Sequence, residues 1–143
     1  MKNLSVKNLF IIAACLTFSS ICMAKKDINL LTPEEINLNK HWVLEKGVLS
    51  ISETPGGIIW SKRKFSDFTI SLEYKTSTKA NSGLFFRTDP KNAVQGGFEI
   101  QIASPGLYKG KQSVGSCYET KKPMVASVKL YGEWNVIELT CKG

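Results

Sequence analysis

NSGLFFRTDPKNAVQGGFEIQI, residues 81–102, carries two runs of alternating character separated by a cluster of turn formers. Residues two apart share one face of a strand, so the spacing predicts a strand over 83–88 and a second over 97–103. Between them Asp89, Pro90, Lys91 and Asn92 favour a turn, and Gly96-Gly97 closes the loop. In the second strand Phe98, Ile100 and Ile102 point one way, and Glu99 and Gln101 the other. In the first, Leu84 and Phe86 share one face, and Phe85 and Arg87 the opposite one. One face is therefore apolar. The other gathers Arg87, Glu99 and Gln101, polar groups of the kind that hydrogen-bond sugar hydroxyls.

The same alternation continues outward. Residues 68–76 read FTISLEYKT, with Phe68, Ile70, Leu72 and Tyr74 inward and Thr69, Ser71, Glu73 and Lys75 outward. Residues 42–44 and 48–52 flank Glu45-Lys46-Gly47, a hairpin signal. Pro55-Gly56-Gly57 is a turn, 58–61 a short strand, and Ser66-Asp67 closes the basic turn that follows it. A last strand covers 134–140, with Trp134, Val136, Ile137 and Leu139. Thr32-Pro33-Glu34-Glu35 has the residues of a helix start and predicts one short helical turn. Residues 103–131 are the least patterned, with Pro and Gly throughout; loops with short strands at 115–118 and 125–128 are expected. Many short strands, regular turns and almost no helix describe an all-β sandwich.

The N-terminus reads as a secretory leader over 1–24. Lys2 and Lys7 precede a short apolar core, and Cys22-Met23-Ala24 offers small residues for cleavage before Lys25. The apolar run is shorter than the roughly 20 residues of a membrane span. Ile12-Ala13-Ala14-Cys15 also has the form of a bacterial lipobox, so a lipoprotein anchor at Cys15 is the alternative processing. Either way the chain is expected in the periplasm or outside the cell, or on the outer membrane. The remaining 119 residues, 25–143, suit a single domain. Losing the leader takes the net charge from +7 to +5 and the cysteines from four to two. In an exported protein, two cysteines suggest one Cys117–Cys141 disulfide. The basic residues are spread over turns, at 62–64, 109, 111, 121 and 122, which is the pattern of a solvated surface rather than a nucleic-acid footprint.

Familiar hydrolase templates find no support. His41 is the only histidine, which leaves no Ser-His-Asp triad, and no HExxH metal motif occurs. Carboxylates and cations on strands remain. Glu73 and Glu99 share the outward phase. If their strands were neighbours through the 83–88 strand, both acids would face one cleft with Arg87 between them. An outward glutamate is otherwise simply solvated, and Lys75 and Arg87 would then serve in cross-strand pairs. Trp42, Trp60 and Trp134 read as core or near-core residues, with a sugar-stacking platform as the alternative. Asn81 and Ser82 hold a strand-entry turn, and the Asn81 amide can also reach a sugar hydroxyl.

NSGLFFRTDP followed by GGFEIQI, with FSDFTISLEYKTS before and GEWNVIELTCKG after, resembles the 3-keto-disaccharide hydrolase domain family over roughly residues 42–143. The resemblance implies a concanavalin A-like jelly roll, two curved antiparallel sheets with a concave face. Family members continue past the strand that ends this chain, so the resemblance also implies a sandwich lacking its C-terminal strands. It implies an exported enzyme acting on 3-keto glycosides or disaccharides. In that chemistry the C3 ketone acidifies the C2 proton, a base removes it, the C1 substituent is expelled, and water adds later. Glu99 is then the expected base or, with a metal, a ligand. Arg87 would stabilise the oxyanion, Glu73 would be a second acid/base or ligand, and Gln101 would orient the substrate, with Lys75 and Asn81 beside it. Tyr118 resembles the tyrosine of the family's Gly-Ala-x-Tyr segment, although Cys117 and Glu119 depart from it. Carboxylate and amide oxygens suit a hard divalent cation, but no motif demands one. A non-catalytic carbohydrate-binding module on the same fold is the alternative, since fold does not fix function.

Overall fold

A computed structural model describes residues 12–13, 27–52, 54–125 and 127–143. Its elements are strands β1 (Ile12–Ala13), β2 (Ile36–Asn37), β3 (Trp42–Glu45), β4 (Val48–Ile51), β5 (Ile59–Ser61), β6 (Phe68–Tyr74), β7 (Asn81–Phe86), β8 (Phe98–Ala103) and β9 (Asn135–Cys141), with two single 3-10 turns. The chain is thus almost wholly β, in small sheets packed as a sandwich. Apart from β1, the expected leader and Cys15 lie outside the described residues. No helix among the described residues is long and apolar enough to cross a membrane.

Local sequence explains the hairpins. β3 and β4 pair antiparallel through Lys46-Gly47, whose φ values of 50° and 74° are both left-handed. That two-residue turn matches the twist of its strands, and glycine at the second position removes the steric cost. After β7, Asp89 caps the turn at Pro90–Asn92 by accepting the Lys91 N–H at 2.9 Å. Thr32 opens the single short turn expected of it. Its carbonyl accepts the N–H groups of Glu35 and Ile36, making one turn that leads straight into β2. Two of the three basic residues at 62–64 fasten this lead-in to β5. Lys62 Nζ donates to the Pro33 carbonyl at 2.6 Å, and Arg63 forms a two-pronged ion pair with Glu35.

The core draws on every layer: Ile36 from β2, Trp42 from β3, Leu49 from β4, Ile59 from β5, Ile70, Leu72 and Tyr74 from β6, Leu84 from β7 and Ile102 from β8. Burying a side chain such as Leu72 or Ile102 stabilises the fold by about 1.5–3 kcal/mol. The buried Trp42 indole satisfies its N–H on the Gly56 carbonyl at 2.6 Å. β6 shows the expected alternation at 70, 72 and 74, which are more buried than their neighbours, while Phe68 at its start is only partly buried against the core.

Four expectations are corrected. The last strand begins at Asn135 rather than Trp134, and Val136 is solvent-exposed because its partner is Glu73 on the outer side of β6. Residues 125–128 form no strand where they are described, and Met124 and Val125 are exposed. Phe98 lies at the open end of β8, where its ring stacks on Phe86 with centroids 5.5 Å apart, instead of entering the core. Cys117 and Cys141 are free thiols. Cys141 ends β9 opposite Phe68, whereas Cys117 belongs to the segment beyond the outer edge of β8. An even cysteine count cannot see that separation.

Candidate active site

β8 is the centre of a three-strand patch. β7 lies on one edge in antiparallel register, with Phe85 opposite Glu99 and Gly83 opposite Gln101. Residues 115–118 lie on the other edge. There the Gly115 N–H donates to the Gln101 carbonyl (2.9 Å), the Gln101 N–H to the Ser116 carbonyl (3.0 Å), and the Tyr118 N–H to the Glu99 carbonyl (2.9 Å). Gly115 and Ser116 together oppose Gln101, and Gly115 has φ of 78°. This is a glycine-first β-bulge. It sets the register so that Tyr118 stands directly across from Glu99.

Strand parity then sorts the side chains. Leu84, Ile100 and Ile102 turn into the core. Asn81, Gly83 and Phe85 from β7, Glu99 and Gln101 from β8, and Tyr118 from the edge segment share the opposite face. Glu99 is flanked by an aromatic residue on each side, one per neighbouring strand. Its carboxylate accepts no hydrogen bond from a described residue. Half-burial without compensation pushes its pKa up to about 7. Glu99 thus sits where a carboxyl can both take and return a proton near neutral pH.

Gln101 is 2% exposed. Its Nε2 donates to Asn81 Oδ1 at 3.3 Å, while its Oε1 has no partner among the described residues. The Ser116 hydroxyl is likewise buried without a partner. Oxygen donors are therefore present, in Glu99 and in the amides of Gln101 and Asn81. Among the described residues no three His, Cys, Asp or Glu side chains gather as a metal-ligand set.

The structure brings together Glu99, Gln101, Asn81 and Tyr118 and sends the other candidates elsewhere. Arg87 has φ of 49°, which breaks the strand phase one residue after β7 ends. Its guanidinium turns to the loop before β6, 3.5 Å from the Ser66 carbonyl and 3.7 Å from Asp67 Oδ1. The turn also explains Gly97, where any Cβ would collide with the Arg87 carbonyl and Thr88. Glu73 and Glu99 do not share a cleft: β6 pairs with β9, not with β7. Both strands bury their other face in one core, so their outward glutamates point away from it on different layers. Lys75 lies near that same distant face, with Nζ 4.9 Å from the centre of the Trp134 ring.

Gly83, Phe85 and Ser116 join the patch without having been singled out as site residues. Parity alone places Gly83 and Phe85 on the Glu99 face, so a search for what lies opposite each acid finds them. Ser116 depends on the bulge, which only the fitted register reveals.

The family model of the 3-keto-alpha-glucoside-1,2-lyase-like domain matches residues 32–143. No curated protein matches the chain. The family match ties this β-sandwich to carbohydrate chemistry.

Proposed function

We propose, from the premise that this chain belongs to the 3-keto-alpha-glucoside-1,2-lyase-like family, that Glu99 is the base of an enzyme cleaving 3-keto glycosides or disaccharides. The observation that carries the reading is the Glu99 carboxyl itself: half-buried between Phe85 and Tyr118, without a donor among the described residues, and pushed up to about 7.

The reaction follows from the chemistry of the ketone. Glu99 takes the C2 proton and the C2–H electron pair becomes the enolate. The enolate re-forms the ketone as the C1–O bond breaks, leaving a C1=C2 double bond. The departing oxygen leaves as an alcohol after gaining a proton, which protonated Glu99 can supply. Water then adds across the double bond, its oxygen to C1 and its proton to C2, giving the free 3-keto sugar. One base suffices, unlike the paired carboxylates of ordinary glycosidases. Gln101 and Asn81 offer amide groups to the sugar hydroxyls, and Tyr118 offers a ring and a hydroxyl beside the reacting carbon. Arg87 is engaged with Asp67 and Ser66, so donation to the enolate oxygen falls to Tyr118 in this reading.

The test is turnover of a 3-keto disaccharide by the folded chain across pH 5–9, with and without added divalent cation. Release of free sugar, rising with pH to a plateau above about 7 and lost in Glu99→Gln, is the expected result. A folded sample that binds the sugar without turnover would instead support a carbohydrate-binding module. Export, to the periplasm or cell exterior or to the outer membrane through Cys15, is proposed from the leader sequence. N-terminal sequencing of the mature protein checks it.

A further inference from the structure

Most glycines in turns here have a backbone reason. Gly47 and Gly115 have left-handed φ, and Gly97 would strike the backbone at Arg87 and Thr88. Gly83 has neither reason. It lies inside β7, in regular register opposite Gln101, and its φ is not left-handed. A glycine inside a strand costs stability, because it orders a flexible residue and packs no side chain. The three atoms nearest to a Cβ built at 83 all belong to the Glu99 side chain: Oε1, and Cδ and Cγ at 2.6 Å each. No backbone atom is among them.

We infer that Gly83 is a positioning residue for Glu99: the missing side chain leaves a notch in β7, and the Glu99 carboxyl lies across it. Glu99 stands directly opposite Phe85, and Gly83 is the diagonal neighbour two residues back along β7. A side chain laid over this notch runs along the strand surface instead of standing out into water. That placement withdraws the carboxyl from solvent, in accord with its raised pKa. A methyl group at 83 would occupy the same volume. The backbone could keep its place, and the flexible carboxyl would be the part that moves, outward into solvent. The catalytic importance of the notch rests on Glu99 being the base; its role in placing Glu99 does not.

The experiment uses the full chain and follows Gly83→Ala by carboxyl-carbon NMR titration of Glu99, alongside kcat, KM and near-UV circular dichroism. The expected result is a folded variant in which the Glu99 midpoint falls by one pH unit or more. Its kcat drops about tenfold to a hundredfold with a smaller change in KM, since small displacements of a reacting group are costly. Unfolding would also lower this midpoint, toward 4.5, so the shift counts only in a variant whose near-UV spectrum matches the parent's. An unchanged midpoint in folded Gly83→Ala overturns the inference. A lowered midpoint with undiminished turnover upholds the notch and overturns the base reading instead. If Gly83→Ala does not fold, Glu99→Ala/Gly83→Ala decides: recovery of folding when the colliding side chain is gone supports the inference, and continued failure overturns it.

Discussion

The outward faces of β6–β9 and β7–β8 are written in the same alternating script and end in different environments. On β6–β9 the outward side carries Thr69, Ser71, Glu73, Val136, Glu138 and Thr140. Thr69 and Thr140 hydrogen-bond across the strands at 3.0 Å, and Val136 stays in water. On β7–β8 the outward side contains Phe85 at 4% exposed and Gln101 at 2%. A third segment is hydrogen-bonded along β8, and a glycine notch lies beside the glutamate. On one layer the outward Glu138 is exposed and Glu73 only partly covered, whereas on the other Glu99 is a desolvated acid. What separates them is not the residue or its phase but the neighbours that flank it.

The comparison breaks most sharply through the two glutamates. Glu99→Gln is expected to lower turnover of a 3-keto disaccharide by about 10²–10⁴-fold, the contribution of a positioned base. Glu73→Gln should stay within about twofold in the same assay. Equal losses from the two variants would erase the distinction between the faces.

Backbone geometry comes next. Gly115→Ala places a Cβ on a left-handed residue at the bulge that registers Tyr118 against Glu99. A loss of about 1–2 kcal/mol is expected in urea unfolding. Turnover should fall in the variant even where it remains folded, whereas Gly47→Ala, in the hairpin far along the chain, should cost stability with turnover per folded molecule unchanged.

The titration of Glu99 gives a smaller effect with a definite sign. The folded chain holds this proton up to about pH 7, while the unfolded chain releases it near 4.5, the ordinary glutamate value. Between those values the native state binds more protons, so this group makes stability fall as pH rises and level off above about 7. Urea midpoints of the parent minus those of Glu99→Gln, measured from pH 4.5 to 8, should show that decline. A flat difference would place the carboxyl in ordinary solvent.

Arg87→Ala should have the least effect. Its ion pair with Asp67 is long and partly exposed, and such pairs contribute about 0–1 kcal/mol. Turnover within about threefold of the parent is expected. A hundredfold loss would return Arg87 to the site as the enolate donor.

Much of the architecture was legible locally. The 46–47 turn, the Asp89 cap, the inward set Ile70, Leu72 and Tyr74, and the shared face of Glu99 and Gln101 all follow from short-range rules: a period of two, turn residues with left-handed or fixed φ, and capping oxygens. The candidate site was legible only in part. Glu99, Gln101, Asn81 and Tyr118 meet, while Arg87 leaves because one left-handed residue reverses a parity that alternation assumes. Glu73 and Lys75 leave because β6 takes β9 as its partner.

By itself the sequence determined that the chain is all-β, where most strands and turns lie, and which side of each strand is apolar. These are properties of neighbours along the chain. Only the tertiary structure decided that β6 pairs with β9, that Cys117 and Cys141 remain apart, that a bulge at Gly115 brings Tyr118 to Glu99, and that Gly83 leaves room for its carboxyl. Those outcomes depend on contacts between residues far apart in sequence, which are selected by burying apolar faces in one core, and no local pattern encodes which distant strand will supply the other half.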